Sequence, residues 1–579
     1  MTRAAASGTL GRLVPPWARS YERAWLGLDI GAGLTLAVML VPQAMAYASL
    51  AGLPPITGLY ASVVALGLYA WFGSSSHVSF GPFALVSLLT AAALEPLTTE
   101  SSPRWFALAG TLAILVGLVH LALALARADA VVVLISRPVV VGFTAGVAVI
   151  IALSQVRDLF GVDAPRSARF GEAARIAVEV APRAHLPTVT IGVVSLVLLL
   201  LGRRYLPRVP MTLLVSVAAV LVVVAFDLVA SGVPVVGSIP SGLPRPTLPD
   251  VSVADVGRLF PSAVVIALIA YGGNVSIAKA IAERSRELVD PKRELVASGA
   301  ANLGAGLVGG FPVAASFTRT AVVYEARART QLAGVVAAIA LILVLVTLAP
   351  LLESLPRAVL AAIVLIAVLS LFDLAAVRST FRVDRADGAV LVLTFVATLA
   401  LGAELGFAVG VGGNVVVHVA RGMRPALIVL GRVPGTRLYR NVDRYPTVTD
   451  PSGVILRLDG PLDFLSVEQV TGRLRRLAAE RPELSWLVLD ASGVTGMDSS
   501  GVHALDDLQQ HLADAGVALH LATLHGPQRD VIRRAGLWDE LVEGSCHVDI
   551  GSALAAIGVP DDAPLRHPGP DEQAPADLL

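Results

Sequence analysis

Long apolar runs fill residues 26–425 and constrain the fold more than any other feature of the sequence. One helical crossing of a bilayer core takes about 20 apolar residues, and twelve runs come close to that length. They lie near residues 29–51, 56–73, 103–127, 137–156, 187–202, 209–227, 256–274, 291–309, 329–352, 356–372, 387–403 and 404–421. Over the whole chain 55% of residues are hydrophobic and 15% are charged, which is typical of a polytopic membrane protein.

Two shorter apolar runs begin in breaks of glycine and proline. They read SFGPFALVSLL (79–89) and GGFPVAASFTRTA (309–321), and their prolines, Pro82 and Pro312, lie 230 positions apart. Counting both runs gives fourteen segments. Because the same arrangement occurs twice and seven is odd, the second copy must be inverted in the membrane. We therefore predict an α-helical polytopic membrane protein with 14 segments in a 7+7 inverted repeat that includes two half-helices.

The basic residues predict which side of the membrane each loop occupies. With this topology, about nineteen Lys and Arg residues fall in the termini and loops of one side and about nine on the other. The richer side should be cytoplasmic, so we expect a multi-pass protein of the cell membrane with both termini in the cytoplasm. Residues 1–25 form the cytoplasmic N-terminal segment and residues 26–425 the transport domain. The segment 157–186, which holds five Arg and four acids, reads as a longer extracellular hairpin.

The half-helices would begin near mid-membrane, where a helix N-terminus presents free N–H groups and the positive end of its dipole. Two such ends that face each other would attract an anion. Phe83 and Ala84 begin the first half-helix, and Thr318 and Arg319 lie in the second. A midplane arginine costs about 2.5–3.5 kcal/mol on insertion scales, so Arg319 should face water, a partner or a ligand. The alternative is that Arg319 snorkels to the inner surface.

The first long run carries polar residues halfway along, in VPQAMAYASLAGLPP (41–55). An unpaired amide in hydrocarbon costs several kcal/mol, which a span packed only for stability would avoid. Gln43 and Tyr47, spaced i and i+4, share one face of this helix. The pattern indicates a polar site at mid-membrane. The plainer alternatives are that Gln43 caps a kink at Pro42 and that Tyr47 is an interfacial anchor.

Beyond residue 425 the pattern changes to alternating strands and helices. GVILRLDG (453–460) and LSWLVLDAS (484–492) read as strands, with an amphipathic helix between them. This pattern predicts a compact α/β domain, which we assign to residues 440–558. The Pro/Asp-rich tail at residues 559–579 is predicted to be disordered.

The sequence offers no motif for catalysis. The ten histidines and the single cysteine, Cys546, form no metal-ligand pattern, and the soluble part has neither a P-loop nor a Gly-rich dinucleotide loop. We therefore expect no enzyme activity, no cofactor and no metal. The net charge of zero implies no nucleic-acid partner. Transport should accordingly be secondary or passive rather than driven by ATP.

Five segments resemble the SulP family of anion transporters, the sulfate-permease group. They are VPQAMAYASLAGLPPITGLYAS (41–62), SFGPFALVSL (79–88), SIAKAIA (276–282), GGFPVAASFTRTAV (309–322) and DRADGAVLVLTFVATLALGAELGFAVGV (384–411). The resemblance spans nearly the whole chain. It implies the seven-plus-seven inverted repeat that uracil and xanthine permeases share, with a core domain that moves against a gate domain. It also implies a homodimer.

The resemblance places the anion between the third and tenth helices. The residues it implies are Phe83, Ala84, Thr318 and Arg319, with Gln43 and Tyr47 lining the pocket. Many relatives also have a carboxylate in the eighth helix, where this chain reads YGGNVSIAK (271–279) and has Gly273. Asn274 beside it can offer only a neutral oxygen. We therefore expect transport that does not depend on a carboxylate titrating at this position.

The segment VTGMDSSGVHALDDL (494–508) resembles the signature loop of STAS domains, which occur at the C-terminus of SulP transporters and in bacterial anti-sigma antagonists. In the antagonists the loop serine is phosphorylated, and Ser499 or Ser500 stands in that place. The alternative, which we favour, is N-capping by Asp498 or Ser499, with Gly501 present for packing. A cytosolic partner of this domain is possible.

The main interpretation is therefore secondary transport of a small anion by alternating access. Sulfate is the expected type, and bicarbonate, chloride, nitrate and dicarboxylates stay open. One alternative is a membrane-tethered STAS regulator without transport, which would not need an intact Arg319 site. The other is a nucleobase permease of the same fold, which should offer acidic or amide groups to a heterocycle instead of an arginine.

Overall fold

The computed structural model describes residues 15–100, 102–126, 136–206, 209–238, 242–243, 246–542 and 544–559. Its contacts divide the chain into a membrane unit that extends to Asn414 and a second unit that starts at Val415. Most of the predicted N-terminal segment 1–25, and all of the predicted tail after Val559, lie outside the described residues.

The membrane unit is a series of helices joined by short connections. Its first half contains α1 (Pro16–Arg19), α2 (Leu26–Leu50), α3 (Pro55–Phe72), α4 (Ala84–Leu94), α5 (Pro103–Leu125), α6 (Arg137–Ser154), α7 (Val156–Phe160), α8 (Phe170–Val180), α9 (Leu186–Tyr205) and α10 (Met211–Ala225). Its second half contains α11 (Val253–Ser285), α12 (Pro291–Leu307), α13 (Phe317–Glu325), α14 (Leu332–Thr347), α15 (Ala349–Glu353), α16 (Arg357–Leu369), α17 (Leu374–Val383), α18 (Arg385–Leu401) and α19 (Ala403–Gly422). The boundary between the two units falls inside α19, after Asn414.

The predicted membrane segments are confirmed as helices, each close to its expected position. Within the described part of the chain, eight helices are long and apolar enough to cross a membrane, and three shorter apolar helices are Ala84–Leu94, Met211–Ala225 and Leu332–Thr347. The two half-helices are α4 and α13, which have 11 and 9 residues. These lengths fall short of a full crossing, as the glycine and proline breaks predict.

A two-stranded bridge joins the starts of the half-helices. Strand β1 (Phe80–Gly81) pairs antiparallel with β2 (Ala314–Ala315), with Phe80 opposite Ala315 and Gly81 opposite Ala314. Each strand ends just before its half-helix begins. The pairing satisfies backbone groups that would otherwise be unpaired inside the membrane, and it brings the corresponding breaks of the two repeats together.

Glycines allow the helices around this bridge to pack closely. A Cβ atom on Gly58, in α3, would lie 2.0 Å from the Ala44 carbonyl oxygen of α2. A Cβ atom on Gly117, in α5, would lie 2.8 Å from the Gly299 carbonyl oxygen of α12. No larger residue fits at these two contacts, so the middle of α2 is held directly against α3.

Two amphipathic helices were not predicted as separate elements. Helix α8 lies inside the segment 157–186, which the sequence predicts to be a hairpin. Helix α17 lies between α16 and α18. Both have a polar face and are too short to cross a bilayer. A search for long apolar runs alone does not detect short amphipathic helices of this kind.

The second unit is an α/β domain. Its strands are β3 (Ala426–Arg432), β4 (Tyr439–Asn441), β5 (Gly453–Leu462), β6 (Trp486–Asp490), β7 (Val494–Met497), β8 (Ala518–Ala522) and β9 (Cys546–His547). Its helices are α20 (Val467–Glu480), α21 (Ser499–Asp514), α22 (Gly526–Arg534), α23 (Trp538–Leu541) and α24 (Ile550–Ile557).

The sheet of this unit has the order β4-β3-β5-β6-β8-β9, and β7 pairs with β5. Strands β5, β6, β8 and β9 are parallel, while β3 runs antiparallel to β5. The apolar residues of the strands pack against the helices; Leu458, Leu487 and Leu508 are fully buried in this core. The sheet begins at Ala426, ahead of position 440, where the sequence pattern places the start of the domain.

Candidate functional site

Arg319 lies in the first turn of α13 and is fully buried. Its Nη1 atom donates a hydrogen bond to the Pro82 carbonyl oxygen at 2.7 Å, so its guanidinium reaches the residue pair that precedes the other half-helix. Within the described residues, its Nε and Nη2 atoms have no hydrogen-bond acceptor. A Cβ atom added to Gly81 would lie 3.5 Å from Nη2. The absence of a side chain there keeps the space beside this unused donor open.

Both half-helices begin without a side-chain cap. The residue before α4 is Phe83 and the residue before α13 is Ser316; both have extended backbones, and neither side chain bonds to the first N–H groups of its helix. The Ser316 hydroxyl instead bonds to the Thr318 hydroxyl at 3.1 Å. The first N–H groups of each half-helix therefore have no capping acceptor from these side chains, and they carry the positive end of the helix dipole.

The middle of α2 places Gln43 and Tyr47 in the protein interior, with 6% and 2% of their surface exposed. The Gln43 Nε2 atom donates to the Tyr47 hydroxyl oxygen at 2.9 Å. Because that oxygen acts as an acceptor, the Tyr47 O–H is left to donate. Helix α2 packs against α13, and Tyr47 is close enough to Arg319 for the two groups to interact electrostatically.

The other predicted site residues differ in their burial. Ala84 is buried in the first turn of α4, and Phe83 before it is half-buried. Thr318 is exposed, next to the exposed ring of Phe317. Arg319, Gln43 and Tyr47 thus form the buried polar part of the site, with Phe83 and Ala84 beside the Pro82 carbonyl that Arg319 contacts.

The two predicted positions in the eighth span, on α11, have different surroundings. Gly273 is exposed, and a Cβ atom there would have no neighbour within 4 Å. Asn274 is buried and holds β2: its Oδ1 atom accepts from the Ala315 N–H at 2.8 Å, while its Nδ2 atom donates to the Ser298 hydroxyl at 3.1 Å. The amide of Asn274 therefore fixes the chain before α13.

Sequence reasoning missed Asn302, on α12, which supports the same break. Its Nδ2 atom donates to the Val313 carbonyl at 3.0 Å, and its Oδ1 atom accepts from the Val313 N–H at 2.9 Å. Asn302 is fully buried. The available signal was a lone amide in the small-residue run GAANLGAGL (299–307), since a buried amide must find partners.

Comparison with known proteins identifies the membrane unit. A sequence model described as the sulfate permease family matches residues 26–394, a range that contains both half-helices and the whole candidate site. The chain belongs to the sulfate permease family. A model of the STAS domain matches residues 440–553, so this sulfate permease carries a C-terminal STAS domain, as predicted.

Two relatives match the sulfate permease chain over most of its length. It is 37% identical over 541 residues to "Probable sulfate transporter Rv1739c" of Mycobacterium tuberculosis, covering 93% of this chain and 96% of the relative. It is 34% identical over 542 residues to "Sulfate transporter 4.1, chloroplastic" of Arabidopsis thaliana, covering 90% of this chain and 78% of the relative. The likeness extends through both units.

The fold is also that of a solved structure. The murine Solute Carrier 26 family member A9 anion transporter, in its inward-facing state, matches with a TM-score of 0.86 at 24% identity, covering 96% of each chain. This likeness confirms the fold class, a multi-span helical membrane protein with a C-terminal STAS domain.

The signature loop of the STAS domain forms the start of α21. Asp498 caps the helix: its Oδ1 atom accepts from the Gly501 N–H at 2.8 Å, and its Oδ2 atom accepts from the Phe464 N–H at 3.1 Å. Ser499 and Ser500 are exposed in the first turn. A Cβ atom on Gly501 would lie 2.1 Å from the Leu462 carbonyl oxygen. Asp498 and Gly501 thus have structural contacts, while the two serine hydroxyls face outward.

Proposed function

We propose that this sulfate permease is a secondary transporter of a small anion, with sulfate as the expected type, and that the anion binds between the N-termini of α4 and α13. The observation that carries the proposal is Arg319, a fully buried guanidinium with two donors, Nε and Nη2, that have no acceptor among the described residues. Leaving a charge buried and unpaired is expensive. An anion supplies both the opposite charge and the missing acceptors.

The surrounding donors fit an oxyanion. Besides Arg319, the Tyr47 O–H can donate because its oxygen accepts from Gln43, and the uncapped N–H groups at Ala84 lie at the positive end of a helix dipole. None of these groups requires a cofactor or a reactive nucleophile, so we propose transport and no enzyme activity. One relative is named as a probable sulfate transporter and the other as a sulfate transporter, and both names agree with this ligand class.

The position of the site supports the proposal of alternating access. Each half-helix belongs to one of the two repeats, and the site lies where the repeats meet at β1 and β2. In inverted-repeat transporters such a site is exposed alternately to the two sides as one bundle moves against the other.

We further propose that the transporter is a homodimer in the cell membrane, with both termini and the STAS domain in the cytoplasm. The exposed Ser499 and Ser500 are then accessible to a cytosolic partner.

Uptake by the purified full-length protein in liposomes tests this function. Sulfate, bicarbonate, chloride, nitrate, a dicarboxylate and uracil are each offered at equal concentration, in exchange and in net-uptake conditions. We expect saturable anion uptake, fastest for sulfate. Uptake of uracil alone would establish a nucleobase permease instead, and absence of all uptake from well-folded protein would favour a membrane-tethered STAS regulator.

A further inference from the structure

The two faces of the sheet in the second unit are covered unequally. On one face the strands form an apolar core with α20, α21 and α22. The apolar cluster of the other face includes Leu430, Ile455 and Trp486 of the strands. Within the described residues, the only helix that contributes to this cluster is the eight-residue α24, through Ala553 and Leu554. This second face is therefore the less completely covered one.

A cavity of about 760 Å³ lies on the second face, next to α24. We call it the sheet groove and define it by six residues that line it: Arg432, Tyr439, Tyr445, Arg481, Leu554 and Val559. Tyr439 and Tyr445 are half-buried, so part of each side chain stays accessible in the groove. The sheet groove thus presents aromatic and apolar surface to a ligand.

The charged side chains of the sheet groove favour an acidic ligand. Arg432, which is half-buried, and Arg481, which is exposed, both line it. Asp450 is the one acidic side chain among the described residues that line it. Its Oδ1 atom accepts from the N–H and the hydroxyl of Ser452 at 2.8 and 2.7 Å, so this carboxylate already has partners. The positive charge that remains attracts ligands of opposite sign.

The described part of the chain ends in the wall of the sheet groove. Val559 lines the groove, and the sequence continues as PDDAPLRHPGPDEQAPADLL (560–579). We call residues 560–579 the tail; it contains five acidic residues, one arginine and five prolines. Because the tail follows Val559 directly, it reaches the groove without a linker. Such a connection gives the tail a high effective concentration there.

We propose that the sheet groove is the docking site of the tail of the same chain. Proline-rich segments bind grooves lined by aromatic residues and lose little conformational entropy in doing so. Tyr439 and Tyr445 supply the aromatic surface, and Arg432 and Arg481 complement the acidic residues of the tail. The docked tail covers the second face of the sheet and controls which other ligands reach it. This proposal concerns the STAS domain and goes beyond the transport of an anion.

Disulfide trapping in the full-length protein tests the docking. Cys546→Ser removes the single cysteine, and Thr449→Cys, in the wall of the groove, is combined with Ala563→Cys in the tail. The matched control combines Ala563→Cys with Ala479→Cys, at an exposed position of α20, which packs on the other face of the sheet. Under mild oxidation we expect the groove pair to form an intrachain disulfide at least about tenfold faster than the control pair.

Two outcomes of the trapping would overturn the proposal. Equal rates for the groove pair and the control pair would mean that the tail has no preferred place on the domain. A disulfide between two chains, seen as a dimer on a non-reducing gel, would assign the sheet groove to the tail of a second copy.

Binding of a fluorescent peptide with the sequence of residues 560–579 gives a second measurement, which needs no introduced cysteines. We expect saturable binding to the protein that ends at Val559. Binding to the full-length protein should be at least about tenfold weaker, because its own tail occupies the groove. Equal binding to both proteins, or no binding to the shortened one, would contradict the docking.

Arg481→Glu in the shortened protein tests the charge complementarity. We expect it to weaken binding of the peptide by roughly three- to tenfold. The matched control is Arg473→Glu, which reverses the charge of an exposed arginine on α20 and should leave binding unchanged. Equal weakening in the two variants would show that the peptide responds only to the overall charge of the domain, and the sheet groove would not be its site.

Discussion

Arg319 donates a hydrogen bond from Nη1 to the Pro82 carbonyl oxygen at 2.7 Å, across a sequence separation of 237 residues. The bond joins the second half-helix to the break that starts the first. It uses one end of the guanidinium as a structural tie and leaves Nε and Nη2 for a ligand. One side chain thus both connects the two repeats and provides the charge at the site between them.

Two substitutions of Arg319 should separate the effect of its positive charge from the effect of its planar set of hydrogen-bond donors. Arg319→Lys keeps the positive charge but not the planar set of donors, and Arg319→Ala removes both. We expect uptake of sulfate to fall by at least about tenfold in each, because hydrogen bonds to a charged group contribute about 1.5–3 kcal/mol each. Initial uptake rates in liposomes measure this effect.

The control for Arg319 is Arg382→Ala, on the exposed face of α17, which should transport as the wild type does. Size-exclusion profiles of all three variants show whether each is folded. Normal uptake by Arg319→Ala would mean that the arginine does not touch the anion.

Asn302→Leu should destabilise the membrane unit. The change leaves the N–H and the carbonyl of buried Val313 without the partners they have now, and each unsatisfied group costs about 1–3 kcal/mol. We expect a free-energy loss of about 2–4 kcal/mol and a lower melting temperature in detergent. Ser276→Ala is the control, since that hydroxyl bonds only to the Gly272 carbonyl on an exposed face. A wild-type melting temperature for Asn302→Leu would show that water replaces the amide.

The order of the membrane segments could be predicted from the sequence because burial in lipid imposes apolar runs of nearly fixed length. The hydrogen-bond partners of Asn302 and Asn274 could not be predicted. A single amide in an apolar run must form hydrogen bonds, but the sequence does not show which distant groups are its partners. The Pro82 contact of Arg319 was hidden for the same reason. Glycine and proline located both breaks, yet the pairing of β1 with β2 requires the two repeats to be placed in space.

The first strand of the sheet could not be predicted from the sequence, for a different reason. Strand β3, with the sequence ALIVLGR (426–432), follows closely on the last membrane helix. The sequence pattern assigns residues 426–439 to neither predicted domain, since hydropathy does not distinguish lipid contact from burial in a sheet. The antiparallel pairing of β3 with β5 assigns these residues to the second unit.

The residue at which the chain is truncated should therefore determine whether the membrane unit alone aggregates in detergent or stays monodisperse. A chain ending at residue 439 keeps β3 without β5 and exposes Leu427 and Leu430, which are 7% and 3% exposed in the complete sheet. An unpaired apolar strand is a template for aggregation. We expect this chain to aggregate in detergent and a chain ending at residue 425 to be monodisperse. Identical size-exclusion profiles would contradict the assignment of β3 to the second unit.

Transport by the truncated chain that ends at residue 425 tests whether the two units are coupled. We expect insertion into liposomes with slower sulfate uptake than the full-length protein. The full-length protein at the same density in the liposomes is the reference. An uptake rate equal to that of the full-length protein would show that the STAS domain has no part in transport.

Gly273 predicts how transport responds to pH. A carboxylate at this position of α11 could bind a proton or a sodium ion as the anion enters, which would offset charge where unpaired ions are expensive. The wild type has no such group, so we expect exchange or uncoupled uptake with a shallow pH profile. Initial uptake rates with and without an inward proton or sodium gradient, at fixed membrane potential, measure this. Stimulation of several-fold by either cation in the wild type would contradict the prediction and point to Glu404, a half-buried carboxylate near a helix junction.

Gly273→Glu should introduce the missing dependence. A Cβ atom at Gly273 meets nothing within 4 Å, so the new side chain enters without displacing its neighbours. We expect sulfate uptake by this variant to become steeply dependent on pH, because protonation of the new carboxyl removes a negative charge that repels the anion. Gly257→Glu is the matched control: it lies on the same helix, is also exposed and has the same open surroundings. If both variants show equal pH profiles, the carboxylate acts only through surface charge, and position 273 has no special relation to the anion.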